Sequence, residues 1–270
     1  MSKNDRKTLI TKFTIVLPCY NEAHRLALSL PDLFIWRQGF QERNKCLVQI
    51  LLANDGCTDK TIELAKELST NEQHFDIVGY DVNQGRGAAL KLAFASAWKD
   101  SSFVLYMDAD LATDLQHVQD VLDTYTNNPH KTVVCGNRYY AGNNLKRPLL
   151  RKIWSWGWRT FVSTLFLKKL PDTQCGFKAL SADLIEPVMS LLKIKGFVAD
   201  IEIILRAWSA KASVISLNIK WVEKKGSTIR WSTIFKMLLE LKDLKSNQKK
   251  WLKESQDLGS DNPNNTTDAA

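Results

Sequence analysis

Long apolar runs are missing from this 270-residue chain, and no stretch approaches the roughly 18 apolar residues that a membrane-crossing helix needs. The first twelve residues contain KNDRK and no apolar core, so no secretory leader is expected and the chain is placed in the cytoplasm. Cysteine is scarce. There are five, an odd number, without a C-x-x-C pair, which argues against a disulfide framework or a zinc site. Cys19, Cys46, Cys57 and Cys135 sit in or beside apolar runs and read as buried, reduced thiols. The four histidines, His24, His74, His117 and His130, show no ligand spacing. No internal repeat is visible. The patterns G-x-x-x-x-G-K-[ST] and G-x-G-x-x-G are both absent, so neither an ATPase phosphate loop nor a dinucleotide fingerprint is indicated.

Acidic residues are also missing where basic ones are densest. The segment LKRPLLRKIWSWGWRTFVSTLFLKK (145–169) holds seven Lys or Arg and no Asp or Glu. Conversely, nothing after Lys253 is basic. Residues 1–253 therefore hold all 37 basic and all but four of the 29 acidic residues, a net of +12 against +8 for the whole chain. Such an excess is suited to phosphate, whether of nucleic acid, lipid headgroup or nucleotide. The polar stretch from 246 onward, ending SDNPNNTTDAA, has little to bury and reads as a disordered tail. Its N-x-T match at Asn265 is not expected to be glycosylated in the cytoplasm.

What is present is regular. The runs 13–18, 46–54, 75–81, 103–108 and 132–136 are short, apolar and rich in β-branched residues, and between them lie amphipathic helical patterns near 22–36, 59–69, 87–98 and 114–127. Alternation of this kind predicts an α/β fold with a mostly parallel sheet covered on both faces. Ligands of such sheets bind at the carboxyl ends of the strands. Each run ends in a polar cluster: CYNE, NDGCTD, DVNQGRG, DADLATD and GNRYY. These five should meet in one crevice. The second half is expected to add a basic aromatic helix (149–167), a helix near 198–210, a strand at 212–219 and a last helix near 231–245.

Asp108 and Asp110, two apart at a strand end, project to the same side. Paired carboxylates there suit Mg²⁺ or Mn²⁺, which in turn holds a diphosphate. NQGRGAAL supplies glycines for close backbone approach and then a helix N-terminus that favours anions. Asp55 ends its strand where it can accept from a base N–H. Asp172, Asp200 and Glu202 are candidate bases.

TIVLPCYNE, LLANDGCTDKT, NQGRGAALKLAF, MDADLATD, GNRYY and DTQCGFKAL, in this order, resemble the inverting family 2 glycosyltransferases, over roughly residues 12–230. The resemblance is strongest to the polyprenyl-phosphate transferases of the dolichyl-phosphate glucosyltransferase type, which share DTQCGFK. It implies a GT-A domain over 12–245, with 1–11 as an extension and 246–270 as the tail. It further implies a nucleotide-sugar donor, foremost UDP-glucose, held by Pro18, Tyr20, Glu22, Asp55, Arg86 and Asp108. Asp108 and Asp110 become the metal motif, Asp110 and Asp172 catalytic residues. Arg138, Arg151 and Ser155 meet the phosphate of a polyprenyl phosphate acceptor. Two positions depart from the family pattern: Asn54 replaces the first of a usual Asp pair, and Ala112 stands where the mannosyl branch has Gln, which favours a glucosyl donor.

The helix 149–167 carries an apolar stripe and three Trp (154, 156 and 158), with Arg151, Lys152 and Arg159 at its flanks. A core-facing helix and an interfacial one both fit that composition; a lipid acceptor favours the interfacial one, and with it peripheral association with the cytoplasmic face of a membrane. Other donors (UDP-N-acetylhexosamine, GDP-mannose), a glycan or protein acceptor, and a non-catalytic nucleic-acid-binding protein are the rival readings. Strand-end carboxylates, which repel a phosphate backbone, speak against nucleic acid.

Overall fold

The computed structural model describes residues 11–139, 149–166, 170–222 and 231–260. A seven-stranded sheet forms the centre, in the order β3-β2-β1-β4-β6-β5-β7. The first half alternates as its pattern predicts: β1 (Lys12–Cys19), α1 (Ala23–Asn44), β2 (Leu47–Asp55), α2 (Thr61–Leu68), β3 (Phe75–Tyr80), α3 (Arg86–Ser96), β4 (Phe103–Met107), α4 (His117–Asn127) and β5 (Thr132–Asn137). There follow α5 (Leu149–Phe166), β6 (Phe177–Ser181), short 3-10 and π turns over 182–190, α6 (Ala199–Ser209), β7 (Ser213–Asn218) and α7 (Trp231–Ser260).

Side chains along each strand alternate between two cores. Val16, Leu51, Val104, Tyr106, Val133 and Leu180 pack on one face with residues of α3, α6 and α7. Ile15, Ile50, Phe103, Leu105, Val134 and Ala179 pack on the other with residues of α1 and α4. This period-two division is what makes the strands read as continuously apolar. On the second face the Phe103 ring stacks on Phe13 and on Tyr125, each at 4.6 Å between centroids. Each such pair adds about 0.5–1.5 kcal/mol beyond its buried area.

β6 alone runs against its neighbours, antiparallel to both β4 and β5. It therefore starts where they end. The loop before it, carrying PDTQCG, is brought to the carboxyl edge together with the ends of β1 to β5 and β7. β6 (FKALS) is as short and as buried as β4, but its buried Lys178 and Ser181 break the apolar run by which β4 shows itself.

Two boundaries move. α1 continues past 36 because Leu26, Leu30, Leu33, Phe34, Arg37 and Phe40 keep burying one stripe, and the helix ends at the left-handed Lys45. α7 runs to Ser260, so the segment 246–260 is helical rather than an unstructured tail. Its polar composition hides three anchors. Arg206, buried on α6, donates to the Trp251 carbonyl and to Ser255 Oγ (3.0 Å), and Ser209 donates to the Leu252 carbonyl. Residues 261–270, like 1–10, lie outside the described residues. Among the described residues no helix is long and apolar enough to cross a membrane.

Candidate active site

At the end of β4 the backbone of the DAD turn is fixed from two sides. The Asp108 N–H donates to the Gly176 carbonyl (3.0 Å), and Ser29 Oγ donates to the Ala109 carbonyl (2.6 Å). The turn closes through Leu111, in the left-handed region at φ 50°, with Asp110 Oδ1 accepting from the Ala112 N–H at 3.0 Å. Both carboxylates remain half-buried at the crevice. Arg86, the first residue of α3, reaches Asp108 Oδ1 at 3.1 Å and Asp200 at 3.7 Å. Burial works against the Arg86 charge, but Asp108 and Asp200 outweigh it and raise its pKa further. Asp200 is itself held by Tyr106 Oη and by Lys178 Nζ (2.8 Å). It is a buried anchor beneath Arg86 rather than a base open to substrate. Glu202 points away from the crevice: it is buried, paired with Arg206 at 2.7 Å, and accepts from the Lys193 and Ile194 N–H groups.

Gly176 explains part of the DTQCGFK segment. A Cβ there would lie 2.1 Å from Asp108 Oδ2. Only glycine leaves the Asp108 carboxylate its place. Gly176→Ala is expected to fold with little change in melting temperature, since Asp108 can swing outward, but to lower Mn²⁺ affinity about tenfold, as supporting residues of metal ligands do. Calorimetric titration with Mn²⁺ checks this; unaltered affinity would show that the Asp108 position is immaterial to metal binding. Lys178, fully buried, stitches the same loop by donating to the Thr173 (3.0 Å) and Cys175 carbonyls.

Asp55 accepts at Oδ1 from the Gln84 and Gly85 N–H groups, both at 2.8 Å, and at Oδ2 from Asn83 at 3.0 Å. Burial pushes its pKa up while these donors pull it down. The carboxylate thus holds the β3–α3 loop and keeps one lone pair on Oδ2 for a ligand. Asn54 replaces an acid for a visible reason. Its amide accepts from the Cys57 N–H (2.8 Å) and donates to the Tyr80 carbonyl (3.1 Å), which no carboxylate does. Tyr20 is exposed just beyond β1, Pro18 lies near the end of that strand, and Glu22 precedes α1 paired with Arg25 at 2.7 Å. Burial raises the Glu22 pKa and Arg25 opposes it, with Asp110 and Asp108 adding repulsion.

One expectation fails. The N-terminus of α3 is not open to an anion, because the Gly87 and Ala88 N–H groups donate to the Lys195 carbonyl at 2.6 and 3.3 Å. Gly85 and Gly87 are glycines to admit this segment: added Cβ atoms would meet the Lys195 and Ile194 carbonyl oxygens, each at 2.4 Å.

A second cluster is built from β5, α5 and the loop before β6. Arg138 makes a bidentate pair with Asp172, Nε to Oδ2 at 2.7 Å and Nη2 to Oδ1 at 2.9 Å, both side chains buried. Burial disfavours the Asp172 charge, yet the Arg138 charge and hydrogen bonds prevail and hold its carboxyl below the ordinary range. Arg138 lies over the Tyr139 ring at 5.6 Å, and Arg159 over the same ring at 4.1 Å. Arg159 Nε and Gln174 Nε2 are buried with no hydrogen-bond partner among the described residues. The sequence marked Arg159 only as a basic flank of its helix; the pairing with Tyr139 across more than a dozen residues has no local signal. Arg151 and Ser155 belong to α5, but their side chains lie outside the described residues.

The donor set of Asp108 and Asp110 is two hard carboxylates, and among the described residues no group of three His, Cys, Asp or Glu converges as a metal cage. That fits Mg²⁺ or Mn²⁺, which keep waters and take the remaining ligands from a substrate's phosphates. It does not fit zinc, which takes three or four protein ligands.

The profile of glycosyl transferase family 2 matches residues 14–188. Glycosyltransferase AglD of Haloferax volcanii is 29% identical over 221 residues, which is 80% of this chain and 34% of that protein. The dolichyl-phosphate beta-glucosyltransferase of Saccharomyces cerevisiae is 27% identical over 231 residues, 79% of this chain and 68% of that protein. This chain thus spans about a third of the first relative's length. Among solved structures, glucosyl-3-phosphoglycerate synthase from Mycobacterium tuberculosis, crystallised with Mn²⁺ and UDP-glucose, shares the fold. The TM-score is 0.59 at 15% identity, covering 90% of this chain and 79% of that one.

Proposed function

The chain belongs to glycosyl transferase family 2 and is a glycosyltransferase of GT-A fold, and from that premise we propose that it transfers a hexose, foremost glucose from UDP-glucose, to a polyprenyl phosphate with inversion. The observation that carries this reading is the division of one sheet edge into two unlike clusters. Asp108, Asp110 and Arg86 stand at β4, and Arg138, Arg159 and Asp172 at β5 and its loop neighbours. β6 lies between, so the two strand ends are two sheet spacings apart, about 10 Å, which leaves room for one hexose.

Mg²⁺ or Mn²⁺ bound by Asp108 and Asp110 would neutralise charge growing on the diphosphate leaving group. Arg86 borders the same diphosphate. Asp55, Glu22, Pro18 and Tyr20 line the nucleotide end. Across the edge, Arg138 is paired with Asp172 and Arg159 lies over the Tyr139 ring, so among the described residues of this cluster two arginines stand with one carboxylate, a setting suited to an anionic acceptor. A phosphate monoester loses its second proton near pH 6, at about 6 for its pKa, so the acceptor oxygen is already anionic at neutral pH. It needs charge compensation rather than a base. In-line attack from the Arg138 side on a sugar whose leaving group sits at the Asp108 side inverts the anomeric centre.

Incubation with radiolabelled UDP-glucose, Mn²⁺ and a short polyprenyl phosphate should give label extractable into chloroform. Label only in water-soluble products would remove the lipid acceptor, and a panel of sugar nucleotides in a thermal-shift screen separates the donors. Arg159→Gln is expected to leave donor affinity intact and raise the acceptor KM about tenfold, the equivalent of one hydrogen bond to a charged group. An unchanged acceptor KM would confine Arg159 to packing.

A further inference from the structure

α7 carries a face that nothing among the described residues covers. Met237, Leu241 and Leu244 bury its opposite side against the core, with Trp251 and Leu252 packed beside them. The outward stripe, at three- and four-residue spacing, reads Phe235, Leu238, Leu239, Lys242, Ser246, Lys249, Lys250 and Lys253. Its first turns are apolar and open to solvent: Phe235 is 63% exposed, Leu239 52% and Leu238 43%. Its later turns are lysine. Lys236 and Lys245, at the margins, are exposed too, and of the acidic residues of this stretch Glu240 is turned inward and Asp243 lies at the margin.

The apolar end is tied to the catalytic edge by a short chain of contacts. Glu240 accepts from the Val198 N–H at 3.2 Å. The same loop exposes Phe197 (47%) and supplies the Lys195 carbonyl that caps α3, whose first residue, Arg86, pairs with Asp108. The apolar end of α7 is thus the end linked, through Glu240 and the 195–198 loop, to the catalytic edge, and the lysines follow it along the helix.

We propose that this α7 face is the surface by which the protein lies on an anionic lipid bilayer, Phe235, Leu238 and Leu239 entering the interface and Lys242, Lys249, Lys250 and Lys253 meeting headgroups. An exposed apolar cluster followed by lysines, with Asp243 at the margin and Asp257 only a turn beyond Lys253, is a composition suited to an interfacial helix. The same lysines argue against a second copy, which would bring like charges face to face. The placement rests on the lipid-phosphate reading of the crevice in one respect: a bilayer here presents an acceptor phosphate at the carboxyl edge.

The test is co-sedimentation of the full chain with phosphatidylcholine vesicles, with and without phosphatidylserine. Binding should require phosphatidylserine and weaken as salt is raised. Phe235→Ser with Leu239→Ser, and separately Lys242→Gln with Lys249→Gln and Lys253→Gln, should each lower vesicle partitioning about tenfold or more. All lie on an exposed face, and both variants should melt with the wild type and use a short polyprenyl phosphate in detergent equally well. Absence of wild-type binding, or equal binding by both variants, overturns the proposal. A vesicle-independent dimer that the apolar variant dissolves overturns it in favour of self-association. Loss of binding in the variants together with no transfer to any polyprenyl phosphate upholds the surface and removes the acceptor reading alone.

Discussion

Asp110→Asn is expected to lower turnover about 10³-fold or more, the several kcal/mol that a carboxylate-held cation contributes to a developing diphosphate. The fold should be unaffected. Asp110 Oδ1 accepts from the Ala112 N–H at 3.0 Å, and an asparagine Oδ1 accepts the same bond, so the turn through Leu111 keeps its closure. What is lost is one negative charge and a hard oxygen at the crevice. The second readout is binding: UDP-glucose affinity of the wild type should rise on adding Mn²⁺, and that increment should vanish in Asp110→Asn while metal-independent binding remains. A variant that retains both the increment and the turnover would show that Asp110 does not hold the metal.

The sheet was legible because its central strands β1, β2, β4 and β5 are buried on both faces and its helices are not. Period and punctuation therefore alternate plainly from Thr14 to Gly136, and the five polar clusters fall where parallel strands end. Asp108 and Asp110 could be singled out on that ground alone. Other features required the third dimension. β6 hides behind its buried Lys178 and Ser181, which interrupt the apolar run, and its antiparallel sense is what turns Asp172 into a neighbour of Arg138. The glycines of NQGRG resembled a phosphate cradle, yet they admit residues 194–196, more than a hundred positions away. Asp200 and Glu202 lie two apart at one helix start and are both buried, and only their partners, Lys178 and Arg206, show that both are anchors. The end of α7 was missed for the opposite reason. Its polar anchors are the backbone carbonyls of Trp251 and Leu252 and one hydroxyl, Ser255, and only Trp251 and Leu252 pack apolar side chains on the core, too few to set a period in a polar stretch.

Asp172→Asn is expected to cost about 3 kcal/mol of stability, because it breaks a buried ion pair and takes from Arg138 its bidentate carboxylate. The partners allow little relief: both side chains are buried, and Arg138 commits Nε and Nη2 to the two carboxylate oxygens. The sign of the pH dependence follows from the depressed Asp172 pKa. A carboxyl that ionises more readily folded than unfolded contributes its stability above the unfolded pKa of about 4 and loses it as pH falls through the folded value. The gap in unfolding free energy between wild type and Asp172→Asn should therefore be full at neutral pH and close only below about pH 4. Denaturant titrations across that range measure it. A carboxylate held in its charged form by a paired arginine is also a weak proton acceptor at pH 7. Asp172 then acts by aiming Arg138, and Asp172→Asn should keep measurable turnover with a raised acceptor KM. Its kcat/KM should rise with pH in parallel with the wild type, both following ionisation of the acceptor phosphate near pH 6, at about that pKa. If the folded, donor-binding variant is instead as inactive at pH 8 as Asp110→Asn, the pre-ionised acceptor cannot attack unaided, and Asp172 is an obligatory base.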